Sequence, residues 1–211
     1  MGKNILIVID MQNDFIYGKF SNKNAQNIVN PIFQEIEQNT VPYDKIIFTK
    51  DHHEKDEFIT ISPNPNRVTY EGRWFGSHCV QSADSDIVYP ISKAIKYHNT
   101  ITGLKNQFDG SWRVIDILHE ECPTEKEPYN IYICGVCTDI CVLATAIGLT
   151  KYKNIGSITV LTNLCAGTSS KAHKTAIAAL KSFGVETITT KQLKRKQKAY
   201  KTYTTTGDFE W

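Results

Sequence analysis

The sequence predicts an α/β protein with three layers, α/β/α, around a six-stranded parallel sheet. Two observations carry the prediction. Short apolar, β-branched runs alternate along the chain with segments whose apolar residues recur at helical spacing. Residue types suited to chemistry also stand at the ends of predicted strands, where open parallel sheets bind their ligands.

Each element has its own signal. Asn4 to Ile9 is uninterruptedly apolar after its first residue and reads as the first strand. Ala25 to Ile36 places Ile28, Ile32, Phe33 and Ile36 at helical spacing. Lys45 to Thr49 is the second strand. Residues 50 to 83 hold Pro, Gly, His and Trp without periodicity and read as a long functional loop. Ile87 to Tyr97 is expected as a helix, His98 to Thr102 as the third strand and Trp112 to His119 as a helix. Tyr129 to Ile133 is the fourth strand, and the small and apolar residues of Val142 to Leu149 form the next helix. Ser157 to Leu161 is the fifth strand. Lys171 to Phe183 is a helix with Gly184 just past its end, and Val185 to Thr189 is the sixth strand.

Composition bounds the function. The 211 residues are 41% hydrophobic and 22% charged, ordinary for one globular domain, placed at residues 1–190. A net charge of +2 is too small to argue for nucleic acid or membrane as a partner. No apolar run is long enough to span a bilayer, and no apolar signal segment opens the chain. Residues 191–211 form a basic C-terminal tail, with six Lys or Arg between Lys191 and Lys201. It reads as a solvated segment, with a nucleic-acid or targeting role as the alternative.

The most informative stretch is Cys134-Gly-Val-Cys-Thr-Asp-Ile-Cys141. With Thr138 or Asp139 as N-cap, Cys141 falls in the first turn of a helix. There the free N–H groups and the dipole favour a thiolate, which makes Cys141 a candidate nucleophile. The six cysteines also admit a disulfide framework, and Cys134, Cys137 and Cys141 a zinc site. A chain of this length does not need staples, and the three thiols have no fourth ligand at finger spacing. Reduced thiols imply a reducing, cytoplasmic setting.

Two further groups stand at strand ends. Asp10, in Ile-Asp-Met-Gln-Asn-Asp-Phe, serves there either as a general base or as a cap on the following turn. Asp51 and His53 flank one residue, so both side chains reach one divalent ion when the chain is extended; His78 in Trp-Phe-Gly-Ser-His supplies a third ligand. A short His pair is also a common surface feature.

Three motifs, in this order, resemble the isochorismatase-like cysteine hydrolase superfamily and, within it, the nicotinamidases. They are Val8-Ile-Asp-Met-Gln-Asn-Asp-Phe15, Phe48-Thr-Lys-Asp-His-His53 and Cys134-Gly-Val-Cys-Thr-Asp-Ile-Cys-Val-Leu-Ala-Thr-Ala146. The resemblance implies a Rossmann-like topology, Cys141 as nucleophile and Asp10 as base. It implies Asp51, His53 and His78 as ligands of a divalent metal, zinc or a similar ion, and Phe15 and Trp74 beside the substrate ring. It places the oxyanion hole at the backbone N–H groups of Cys137 and Cys141, and a cis peptide at Val136-Cys137. Relatives are often oligomers, so a homo-oligomer is expected, although no interface signature stands out.

The chain departs from the family pattern at three places. Position 137 is usually alanine. The triad lysine usually ends the third strand, where alignment puts Thr102; Lys105, three residues on, is the candidate to replace it. Three residues separate Trp74 from His78 where two are common, and a looped-out Gly76 is expected to absorb the extra one. The implied function is a metal-dependent cysteine amidase converting nicotinamide to nicotinate and ammonia. The alternatives are the same chemistry on another small amide or carbamoyl substrate, and a non-catalytic relative that binds a small molecule.

Overall fold

In a computed structural model, residues 2–80, 85–95, 99–124 and 127–206 are described. Strand β1, Lys3–Ile9, is the middle of the molecule: Ile5, Leu6, Ile7, Val8 and Ile9 have no exposed surface. Such a run is buried on both faces, as parallel strands between helices are. β1 pairs with β2, Lys45–Asp51, on one side and with β4, Tyr129–Val136, on the other. β3, Thr100–Lys105, lies outside β2; β5, Ile155–Ala166, and β6, Glu186–Ile188, lie outside β4. The sheet order is β3-β2-β1-β4-β5-β6, and every pair is parallel.

Strand order reverses direction between β1 and β4. Their C-terminal ends therefore open the crevice of a topological switch point, with Asp10 on one lip and the cysteine segment on the other. Gly135 makes this junction possible. Its φ is +117°, and a Cβ there would lie 2.1 Å from the Ile9 carbonyl oxygen.

Helices cover both faces. Between β1 and β2 come α1, Asn13–Ile16, α2, Lys23–Gln26, and α3, Val29–Gln38. The single helix expected over Ala25 to Ile36 is thus broken. Pro31 explains the break: it has no N–H to bond residue 27, and its ring clashes with that carbonyl, so it is tolerated only in the first turn of α3. α4, Tyr70–Trp74, lies inside the segment expected as a loop, and α5, Ile91–Ala94, packs on α3. The helix predicted for Ile87 to Tyr97 begins only after Pro90, for the same reason. Its predicted end, the start of the predicted strand at His98, and residues 81–83 of the loop lie outside the described residues.

α6, Ser111–Glu121, α7, Leu143–Leu149, and α8, Ser170–Ser182, pack in a row on the other face. Gly184 follows α8 with φ +78°, as expected of a glycine past a helix end. The basic segment continues as α9, Thr190–Thr206, anchored by buried Leu193 and by Lys194 Nζ donating to Gln38 Oε1 (2.7 Å); residues 207–211 lie outside the described residues. Among the described residues no helix is long and apolar enough to cross a membrane.

Candidate active site

β3 runs through Lys105, three residues beyond the predicted strand, and pairs it with Asp51 at the end of β2. Thr102 sits mid-strand opposite Phe48. The longer strand carries Lys105 to the crevice. Its Nζ lies 2.8 Å from Asp10 Oδ2, 3.2 Å from Asp51 Oδ1 and 3.7 Å from Cys141 Sγ. All four groups are buried.

Asp10 follows β1 in the left-handed region, φ 49°, a conformation Asp tolerates better than most residues. Its N–H donates to the Thr49 carbonyl (3.3 Å), and Thr49 Oγ1 donates to its Oδ1 (2.6 Å). Cys141 lies in a π-helical turn, Thr138–Val142, that leads into α7. The Val136–Cys137 peptide is cis, as the resemblance implies. Cys137 occupies the N-cap position, and neither Thr138 nor Asp139 caps the turn. Both side chains instead tie it to the neighbouring segment. Thr138 Oγ1 bonds His173 Nδ1 of α8 (2.8 Å), and Asp139 accepts from Thr168 N (2.8 Å) and Oγ1 (2.5 Å).

Burial pushes the Cys141 thiol well above its ordinary range, against the opposing pull of Lys105. The helix start therefore does not by itself make an ionised thiol, because desolvation outweighs it. Burial likewise raises Asp10, with Lys105 opposing. Burial works against the Lys105 charge too, but Asp10, Cys141 and Asp51 together hold the ammonium well above its usual range. Burial would raise Asp51; Lys105, His53 and His78 outweigh it and keep the carboxylate ionised. The set is a thiol, a carboxyl that readily takes a proton and a fixed cation, which is the composition of an activated nucleophile.

On the far side of Asp51 is a second cluster. Asp51 Oδ2 lies 3.2 Å from His53 Nε2 and 3.1 Å from His78 Nε2. Glu71 Oε1, from α4, is 3.4 Å from His78 Nε2 and 3.8 Å from His53 Nε2. One ligand atom from each of these four buried residues falls within 4.8 Å of the others. Two imidazole nitrogens and two carboxylate oxygens converging in this way fit a divalent cation. His78 reaches the cluster despite the extra residue before it. The Gly76 carbonyl accepts from His78 Nδ1 (2.8 Å) and ties the intervening segment to the ring. Sequence reasoning missed Glu71, whose spacing to His78 follows no ligand motif.

A cavity of about 190 Å³ connects the clusters and is lined by Asp10, Asp51, Glu71, His78, Cys137 and Cys141. Phe15 lines it, with its ring centroid 5.6 Å from that of His78. Trp74 does not. It is 72% exposed and pairs with Tyr70 at the end of α4; the next residue, Phe75, is partly exposed but lines the cavity and meets Phe108 edge-on at 5.5 Å. Phe20, Phe75 and Phe108 supply the remaining aromatic wall. All six cysteines are unpaired.

This fold and this site together define a cysteine hydrolase of the α/β class. The chain belongs to the isochorismatase family, whose model, the isochorismatase domain, matches residues 4–192. Nicotinamidase of Schizosaccharomyces pombe is 25% identical, over 88% of this chain and 93% of its own. The structure of the yeast nicotinamidase bound to the inhibitor nicotinaldehyde superposes with a TM-score of 0.74 at 21% identity, covering 88% of this chain and 99% of that one. Pyrazinamidase of Pyrococcus horikoshii in complex with zinc gives 0.70 at 23% identity, covering 89% and 99%.

Proposed function

We propose that this protein is an amidohydrolase that converts nicotinamide, or a closely similar aromatic carboxamide, to the acid and ammonia. One observation carries the reading: a buried ammonium, Lys105, within 2.8 Å of Asp10 and 3.7 Å of Cys141. The nicotinamidases that the chain resembles support the choice of substrate.

Cys141 attacks the carboxamide carbon and its proton passes to Asp10. The thiol need not be ionised beforehand, because a carboxylate stands ready as the bond forms. Lys105 balances the negative charge that builds on the thiol and the oxyanion, and backbone N–H groups at Cys137 and Cys141 receive the oxyanion. Asp10 returns the proton to the leaving nitrogen, ammonia departs, and a thioester remains on Cys141. Asp10 then takes a proton from water as the water attacks the thioester. As the C–S bond breaks and the acid leaves, Asp10 passes that proton to the sulfur, which restores the thiol and the carboxylate.

Asp51, His53, His78 and Glu71 would hold a divalent ion, for which zinc is the choice, and the zinc-bound pyrazinamidase of the same fold supports it. When bound, such an ion supplies a Lewis-acid site for the ring nitrogen and so orients the substrate. Phe15 and the Phe75–Phe108 pair enclose an aromatic ring. A cytoplasmic setting belongs to the same reading and is supported by the six unpaired cysteines. So does assembly into homo-oligomers, as the family resemblance implies.

The test is ammonia release from nicotinamide by the zinc-loaded protein beside Cys141→Ala. Turnover in the wild type that vanishes in the variant is expected. A folded, metal-loaded wild type without turnover would overturn the nicotinamide reading.

A further inference from the structure

His53 and His78 each aim Nε2 at the cluster, and each must therefore keep its proton on Nδ1 to offer a lone pair there. His78 Nδ1 donates to a backbone carbonyl, that of Gly76. His53 Nδ1 instead meets a side chain, Glu57 Oε2, at 2.6 Å. A carboxylate oxygen can only accept this Nδ1–H, so the contact holds the ring with Nε2 aimed at Asp51 Oδ2 (3.2 Å) and at the cluster. Phe58 packs edge-on against the same ring, centroids 5.0 Å apart, and closes off rotation.

Glu57 is held from the other side as well. Its carbonyl accepts from Thr69 N (3.1 Å) and Thr69 Oγ1 (3.4 Å), and Thr69 Oγ1 caps α4 through Gly72 N (2.9 Å). Gly72 presses so close that a Cβ there would lie 1.8 Å from the Glu57 carbonyl oxygen. α4 carries Glu71. One residue thus orients His53 through its side chain and seats the helix bearing Glu71 through its backbone.

We infer that Glu57 is a positioning residue for the divalent-cation site: its carboxylate holds the Nδ1–H and the ring orientation of His53 and so raises the affinity for the ion. The inference rests on the metal reading above. It extends that reading to a residue that does not itself join the ligand cluster.

The experiment strips the protein with a chelator and titrates it with zinc in competition with a chromophoric chelator. It compares wild type, Glu57→Ala and Glu57→Gln, with Asp51→Ala as the variant that removes a ligand. Loss of a carboxylate behind a ligating histidine weakens metal binding by about 10- to 100-fold. Glu57→Ala should show that loss while still binding one ion per chain. Glu57→Gln keeps an acceptor and should recover part of it. In the zinc-loaded protein the His53 Nδ1–H proton should resonate far downfield in wild type, as in a charge-assisted hydrogen bond to a carboxylate, and move upfield in Glu57→Ala, which a merely structural role would not produce. Zinc affinity in Glu57→Ala within about two-fold of wild type, with an unchanged His53 Nδ1–H resonance, overturns the inference and leaves the metal reading intact. Wild type that takes up no zinc overturns the metal reading, and this inference with it.

Discussion

In the proposed mechanism Lys105 is the residue on which the chemistry turns, and it lies against two buried carboxylates and a thiol at once. Substituting methionine keeps most of its length and removes its charge. Lys105→Met should lower kcat by on the order of a hundred-fold, the usual cost of losing a group that stabilises a developing oxyanion. It should also raise the pH at which iodoacetamide modifies Cys141, read by mass spectrometry of that peptide. The sign follows from the site: Lys105 opposes the upward push of burial, so without it the thiolate forms at still higher pH. An unchanged modification profile in folded protein would remove Lys105 from the electrostatics of the thiol. The role of this residue was only half legible in the sequence. Strand pattern ended β3 at Thr102, because Gly103, Leu104 and Lys105 lack β-branching. Pairing along β2 extends the strand to Asp51 and decides what local propensity could not.

At the scale of elements, the site depends on how closely β1 and β4 approach. Gly135 faces the Ile9 carbonyl across the sheet, one residue before Asp10 on one strand and two before Cys137 on the other. Gly135→Ala would add a methyl 2.1 Å from that oxygen at a φ of +117°. The expected cost is about 3 kcal/mol of stability, seen as a lower urea midpoint, from backbone strain and overpacking together. A midpoint equal to wild type would show that the strands can part without penalty. The central strands were readable because burial on both faces leaves an apolar run in each: Ile5 to Ile9 in β1, Ile46 to Phe48 in β2, and Ile131 and Ile133 in β4. Pro31 and Pro90 were visible signals for the breaks before α3 and α5, but apolar spacing on either side masked them. α4 was not readable: five residues carry no period, and its value lies in Glu71, whose partners arrive from β2 and from beyond the helix.

For the whole molecule, the crevice of the switch point was legible because strand ends and reactive residues coincided in sequence. The contacts across it were not. Trp74 and Phe75 differ by one position and both keep exposed surface, yet only Phe75 lines the cavity, and only the end of a short helix decides between them. Burial of thiols is a property of the assembled core, and it gives the fold a pH dependence of its own. Burial is the leading cause that raises Cys137 and Cys165 to about 12 and Cys134 well above its usual value, beside Cys141. An unfolded cysteine has a pKa of about 8.5. Between these values the unfolded chain releases protons that the folded chain retains, so stability falls as pH rises. The buried thiols contribute fully below about pH 8 and progressively less above it. Cys165 takes no part in the mechanism proposed above, and its thiol lies 4.0 Å from the Ile133 carbonyl oxygen. Cys165→Ala should therefore flatten the decline of the urea midpoint above about pH 9, whatever it does to the midpoint at neutral pH. An identical alkaline slope in wild type and variant would mean that the thiol ionises as easily in the folded protein as in the unfolded chain.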